Sequence, residues 1–191
     1  SASELRDLID DILDVQKIEM GRLSFSIEQV KTADVLREVK EMFNTQADGK
    51  GLQLDLSIDE AAEEVVAQVD RGRLKQVLVN LFSNAIKYTL EGSIQVTQKV
   101  MNDDVVEIAV KDSGVGMTAQ ELKKLFGKFY RAQAKETRAV KGTGLGLWIT
   151  KSITEQMGGS ISVESIKGDG SRFVVHFSIS EEDKNDATKG K

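Results

Sequence analysis

Cysteine is missing from this chain of 191 residues, and histidine occurs once, at position 176. The first absence excludes disulfides, thiolate metal sites and cysteine nucleophiles. The second removes most metal-centre and triad chemistries. No apolar run approaches the length needed to cross a bilayer. The opening stretch, SASELRDLIDD, is acidic and lacks a continuous apolar segment, so it does not read as a signal peptide, and a cytoplasmic location is expected. Basic residues are outnumbered, 26 against 31, for a formal charge of −5, so a nonspecific grip on nucleic acid through phosphate neutralisation is not expected. Proline is absent too, and nothing in the sequence accounts for it.

What is present is the mixture of a globular protein, 40% apolar and 30% charged, long enough for one well-buried domain or one domain with a short extra element. Residues 3–21 place Leu5, Leu8, Ile12 and Val15 at spacings of three and four, with Ile9 and Leu13 widening the stripe. The pattern predicts an amphipathic helix that packs either on its own domain or on a partner chain's helices. A strand is expected over 23–30, a helix over 32–47, and strands over 52–58 and 64–69. Asp70 can then cap a long helix running to Tyr88. Two hairpins are predicted, 93–100 with 105–112 and 159–166 with 172–180, separated by a short helix over 118–126 and a helix behind the glycines at 142, 144 and 146. The tail, 181–191, reads as charged and frayed. Segregated helices and antiparallel strands predict an α+β fold, a two-layer sandwich with one mixed sheet covered on one face by helices.

Three stretches could carry chemistry. The helix from 70 to 88 is apolar on most of its circumference, yet Asn80 and Asn84 stand one turn apart with Lys87 close to the same line. Such a polar stripe is either a pair of amides bonded to neighbouring backbone or a site for a hard cation and phosphate. In VVEIAVKDSGVGMT, period-two alternation puts Val106, Ile108, Val110 and Asp112 on one face. Asp112 thus ends a core-facing row, where a carboxylate must be hydrogen-bonded. It is part of a plain Asp-Ser-Gly turn or an acceptor for an exocyclic amine such as adenine's. The loop 127–142 carries Lys128, Arg131, Lys135, Arg138 and Lys141 against Glu136 alone, which reads as a solvated loop or as a mobile cover for polyphosphate. It runs into KGTGLGLWIT, whose glycines fit neither the dinucleotide fingerprint nor the Gly-Lys-Ser/Thr phosphate loop. Behind them Leu145, Ile149, Ile153 and Met157 recur every four residues, so the glycines precede a helix N-terminus, where free N–H groups favour an anion.

Taken together and in order, these pieces resemble the ATP-binding catalytic domain of sensor histidine kinases, within the gyrase, Hsp90, histidine kinase and MutL superfamily. NLFSNAIKY is similar to the N box, DSGVG to the G1 box, LFGKFYR to the F box, GTGLGL to the G2 box and GDGSRF to the last glycine motif. The resemblance covers about residues 24–180, and LIDDILDVQKIEMGRL resembles the second helix of the dimerisation and phosphotransfer hairpin, placing a partial hairpin over 1–23. It implies ATP and Mg²⁺ as cofactors and a role for each matching position. Asn84 would hold Mg²⁺, Asn80 would support metal and phosphate, and Lys87 and Tyr88 would contact the nucleotide. Asp112 would take the adenine amino group, with Gly114 and Gly116 lining the base pocket and Ser171 near it. Phe129 and Arg131 would belong to a lid over 128–141, Arg131 reaching the terminal phosphate. Gly142, Thr143, Gly144, Leu145, Gly146 and Leu147 would wrap the triphosphate.

Asn80 stands where the superfamily's ATPases carry a water-activating glutamate, and an amide is no general base. Asn80, Lys87 and Arg131 are therefore expected to serve phosphoryl transfer rather than hydrolysis. The sole histidine, His176, falls on the outward row of its strand and lacks the acceptor helix context. The chain is accordingly expected to be a fragment without the acceptor-histidine helix. Its expected partners are that helix, a response regulator and a second copy through residues 3–21. No nucleic-acid or membrane contact is expected. The alternatives are a superfamily ATPase that drives conformational change and a nucleotide-blind interaction module.

Overall fold

The computed structural model describes residues 2–132 and 140–180. The elements run α1 Ala2–Glu19, β1 Ile27–Lys31, α2 Thr32–Gly49, β2 Gln53–Ile58, β3 Val66–Asp70, α3 Arg71–Tyr88, β4 Ser93–Met101, β5 Val105–Asp112, α4 Ala119–Lys124, α5 Gly146–Gln156, β6 Ser160–Ile166 and β7 Gly170–Ser178. Five strands form the main sheet in the order β2-β4-β5-β7-β6; β2 and β4 are parallel and the other pairs antiparallel. Helices α2, α3 and α5 cover one face, which is the expected two-layer sandwich.

The hydrophobic pattern explains the layering. Every inward side chain of β5, Val106, Ile108 and Val110, is buried, and α3 meets them with Leu74, Leu78, Leu81 and Phe82 at helical spacing. Phe82 also meets Phe43 of α2, ring centroids 5.8 Å apart. The three-residue β4–β5 turn, 102–104, holds Asn102 and Asp103 at positive φ (53° and 63°), the left-handed conformation that Asn and Asp tolerate.

Two details depart from the sequence reading. The strand expected from residue 23 begins at Ile27, and β1 pairs only with β3, as a two-stranded ribbon outside the main sheet. Alternation identifies strands but not their partners. The ribbon meets the main sheet through one bridge, Ala67 to Ile179.

Asp70, at the end of the ribbon, caps α3 as predicted: its Oδ1 accepts from the Arg73 N–H at 2.9 Å, and its Oδ2 accepts from the Ser26 N–H at 2.8 Å. Both bonds vanish in Asp70→Ala, which is expected to lose about 1–2 kcal/mol in urea unfolding.

Helix α1 packs one edge on its own domain, the first of its two predicted environments. Val15 is buried against the domain, and Ile18 packs on its core. Leu5, Ile9, Ile12 and Leu13 remain 40–60% exposed on the other side. No described helix is long and apolar enough to cross a membrane.

Candidate active site

A cavity of about 930 Å³ opens between α3, the β5–α4 segment, the start of α5 and the acidic side of α1. It gathers Asn80, Asn84, Lys87, Tyr88, Asp112, Gly116, Arg131, Gly142, Thr143, Gly144, Gly146, Leu147 and Ser171, residues the sequence reading singled out from five separate motifs. Three others stand behind or beside it. Leu145 is fully buried in the core, and Gly114 packs under the Tyr88 carbonyl. Phe129 is 66% exposed. Of the predicted lid, residues 133–139, including Lys135, Glu136 and Arg138, lie outside the described residues, as does the tail 181–191.

At one end the period-two pattern of β5 delivers Asp112, only 5% exposed, to the cavity wall. Its Oδ1 accepts from the Gly114 N–H at 2.9 Å and the Ser171 N–H at 3.3 Å. Among the described residues Oδ2 has no hydrogen-bond partner, so this carboxylate is held by one oxygen and offers the other to the cavity. Burial pushes its pKa up to about 6, against the two backbone donors that pull it down. Buried in this way, the oxygen is a strong acceptor awaiting a neutral donor.

At the other end the 3.6 periodicity of α3 aligns Asn80, Ser83, Asn84 and Lys87 along the wall. The Asn80 Nδ2 donates to Thr150 Oγ1 at 2.8 Å, which fixes the amide against α5. Its Oδ1 lies against the first residue of that helix: a Cβ added to Gly146 would stand 2.7 Å from it. An alanine there would push the Asn80 amide off its bond to Thr150, so the nearness of that side chain favours glycine, a reason distinct from chain flexibility. Asn84 and Lys87 make no hydrogen bond or ion pair among the described residues. The amide oxygen of Asn84 and the ammonium of Lys87 therefore face the cavity beside the N–H groups at the start of α5.

Sequence reasoning missed the fourth wall. Glu4, Asp7, Asp10 and Asp11 of α1 line the cavity. The Thr143 hydroxyl donates to Asp11 Oδ2 at 2.7 Å and accepts from the Leu145 N–H at 3.2 Å. Lys141 pairs with Glu4 at 2.9 Å, and Lys128 pairs with Glu19. Burial raises the pKa of Asp11, with Asp14, Asp7 and Asp10 adding to it and the Thr143 bond opposing. The acidic stripe of α1 is visible in the sequence, but its docking on the glycine loop joins residues 132 apart, a contact that local periodicity does not encode. Thr150, the partner of Asn80, was missed for the same reason, at a separation of 70.

His176 lies elsewhere, on β7, with its Nε2 3.0 Å from Glu107 Oε2, and does not line the cavity. It is the outward strand residue that alternation predicts.

The family profile described as histidine kinase-, DNA gyrase B- and HSP90-like ATPase matches residues 69–181. Among curated relatives, the sensor protein GacS of Pseudomonas syringae pv. syringae is 37% identical over 98% of this chain and 21% of its own length. The signal transduction histidine-protein kinase BarA of Escherichia coli K12 is 35% identical over 94% of this chain and 20% of its own. This chain thus spans about a fifth of the length of either relative. Among solved structures, full-length ShkA in complex with AMPPNP superposes with a TM-score of 0.79 at 26% identity, covering 92% of this chain and 36% of that one. The catalytic domain of the histidine kinase ThkA superposes at 0.69 with 29% identity, covering 81% of this chain and 98% of that domain.

Proposed function

This chain belongs to the histidine kinase-, DNA gyrase B- and HSP90-like ATPase family, as the ATP-binding catalytic domain of a two-component sensor histidine kinase, and we propose that it orients Mg·ATP for transfer of the γ-phosphoryl group to a histidine on another helix. The observation that carries this reading is the polarity of one cavity: an acceptor carboxylate at one end, and amides, an ammonium and a helix N-terminus at the other.

In this reading the Asp112 Oδ2 accepts from the adenine amino group, beside Ser171 and Gly116. Tyr88 flanks the middle of the pocket. The N–H groups of Gly144, Gly146 and Leu147 face the phosphate oxygens, and Lys87 neutralises part of their charge. Arg131, whose guanidinium donates to the Val140 carbonyl, stands at the mouth on the terminal-phosphate side.

The donor set fits a magnesium ion in a particular way. No group of three or more His, Cys, Asp or Glu side chains able to hold a metal occurs among the described residues. Asn84 instead offers a single neutral oxygen, which suits a hard cation that arrives with phosphate and water ligands. Asn84 would hold the ion, with Asn80 supporting it, and the ion would neutralise charge on the transferring phosphoryl group.

What the chain's own residues do is position. Asn80, locked to Thr150, contributes an amide where a general base would be needed for hydrolysis, so α3 presents no group that activates water. The acceptor imidazole is not His176. The apolar side of α1 left open by the domain, Leu5, Ile9, Ile12 and Leu13, suits a second copy or the acceptor helix, and a response regulator would take the phosphoryl group onward.

The test pairs a titration with a transfer assay. Asn84→Ala is expected to weaken Mg·ATP binding about tenfold or more, with a far smaller effect on ATP in excess chelator. An added helical peptide carrying an acceptor histidine should gain acid-labile phosphate with the wild type. Equal Mg·ATP affinity in the variant overturns the metal assignment, and steady phosphate release with an unlabelled peptide overturns the transferase reading.

A further inference from the structure

Ser165 lies on β6, outside the cavity lining, yet its hydroxyl joins three elements of the base end. The Met117 N–H donates to Ser165 Oγ at 2.8 Å, Ser165 Oγ lies 2.8 Å from the Gly170 carbonyl oxygen, and the Ser171 Oγ is 2.8 Å away. A hydroxyl has one proton and two lone pairs. The Gly170 carbonyl can only accept, so it takes the Ser165 proton; Met117 occupies one lone pair, and the other is left for Ser171 to donate into. The reverse arrangement, Ser165 donating to Ser171, would set two lone-pair-bearing oxygens face to face at 2.8 Å.

From this we propose that Ser165 is a specificity-determining positioning residue, which orients the Ser171 hydroxyl so that the base end of the cavity presents acceptors only. The inference rests on the nucleotide reading above and deepens it. With the Ser171 proton turned away from the cavity, its hydroxyl oxygen shares a wall with the carboxylate of Asp112, its cross-strand partner, so that wall carries two acceptors. A 6-amino purine meets that wall with N–H donors, directly or through water. A 6-oxo purine brings a carbonyl oxygen against a carboxylate and finds no donor. Losing the Ser165 oxygen frees the Ser171 proton to turn into the cavity, where it can serve a 6-oxo group.

The experiment compares ATP and GTP affinities of the same folded chain by calorimetry or fluorescent displacement. In Ser165→Ala, ATP binding is expected to weaken about three- to tenfold while GTP binding holds or tightens, so the ATP:GTP ratio falls at least about fivefold. Ser165→Cys, which keeps the volume but accepts poorly, should lower the ratio likewise if the alanine variant fails to fold. Ser165→Thr, which keeps the hydroxyl, should restore it. In a Ser171→Ala background the ratio should not respond to Ser165→Ala. A merely structural role would weaken both nucleotides by one factor, and an unchanged ratio in the alanine and cysteine variants overturns the proposal. Wild type that binds neither nucleotide would instead overturn the nucleotide reading itself.

Discussion

Replacing Asp112 by asparagine is expected to weaken ATP binding about 100-fold or more and, at the same time, to make the nucleotide-free chain more stable near neutral pH. The first effect follows from which oxygen is free. Oδ1 is taken by the Gly114 and Ser171 N–H groups, and an amide oxygen can keep those bonds. Asparagine must then turn its NH₂ to the cavity, placing a donor where the ligand's amino group also donates.

The second effect follows from burial. The Asp112 pKa rises from 3.8 to about 6, so the folded chain holds this proton more tightly than the unfolded chain does. Stability therefore falls as pH rises from 3.8 toward about 6 and stays lower above it. The carboxylate's cost at neutral pH is on the order of 2–3 kcal/mol. That cost already includes the two N–H bonds to Oδ1, so asparagine, neutral like the protonated carboxyl, is expected to recover most of it, about 2 kcal/mol. Urea unfolding should show the variant ahead at pH 7.5, with the gap closing toward pH 4. ATP affinity of the wild type should increase with pH up to about 6 and then level, because only the ionised form accepts freely at both oxygens. A flat profile between pH 5 and 7 would remove Asp112 from the binding site.

Gly116→Ala is expected to carry a large stability loss for a single added methyl. Gly116 has φ +62°, where an L side chain is strained by about 1 kcal/mol. Its hypothetical Cβ would also stand 1.9 Å from the Ile166 carbonyl oxygen and 2.8 Å from the carbonyl carbon. That neighbour is backbone, so it can yield only if the β6–β7 hairpin moves. Such a movement breaks the bond from the Gly168 N–H to the Val115 carbonyl, 2.8 Å, and the Met117 bond to Ser165. A loss of about 3 kcal/mol or more in urea unfolding is expected, with ATP binding lost beyond what unfolding explains. Gly142→Ala is the control: nothing lies within 4 Å of its added Cβ, and its stability should stay within about 0.5 kcal/mol of wild type. Similar losses in both variants would show that backbone clash is not what makes Gly116 necessary.

The three glycines of KGTGLGLWIT differ in the space around them. A phosphate-loop reading treats them alike, but only Gly144 and Gly146 meet close neighbours, the Phe129 backbone and the Asn80 amide. Spacing in the sequence shows that glycines recur; it does not show which one another segment crowds.

The residues legible beforehand are those whose position follows from their own element. Asn80, Asn84 and Lys87 share a line because a helix repeats every 3.6 residues, and Asp112 faces the core because a strand repeats every two. Both periods are local, and both survived folding. Sequence alone thus determined the two-layer α+β architecture, the polar stripe on α3, the carboxylate at the end of β5 and the helix start behind the glycines. The tertiary structure decided that β1 and β3 stand apart as a ribbon, that the acids of α1 close one side of the cavity, that Phe129 turns outward and that Ser165 governs the Ser171 hydroxyl. The Met117 bond to Ser165 spans 48 residues and the α1 contacts with Lys128, Lys141 and Thr143 span 109 to 137, where chain connectivity imposes no period and only the packed fold selects the partner; Ser165 and Ser171 themselves face each other across the β6–β7 hairpin.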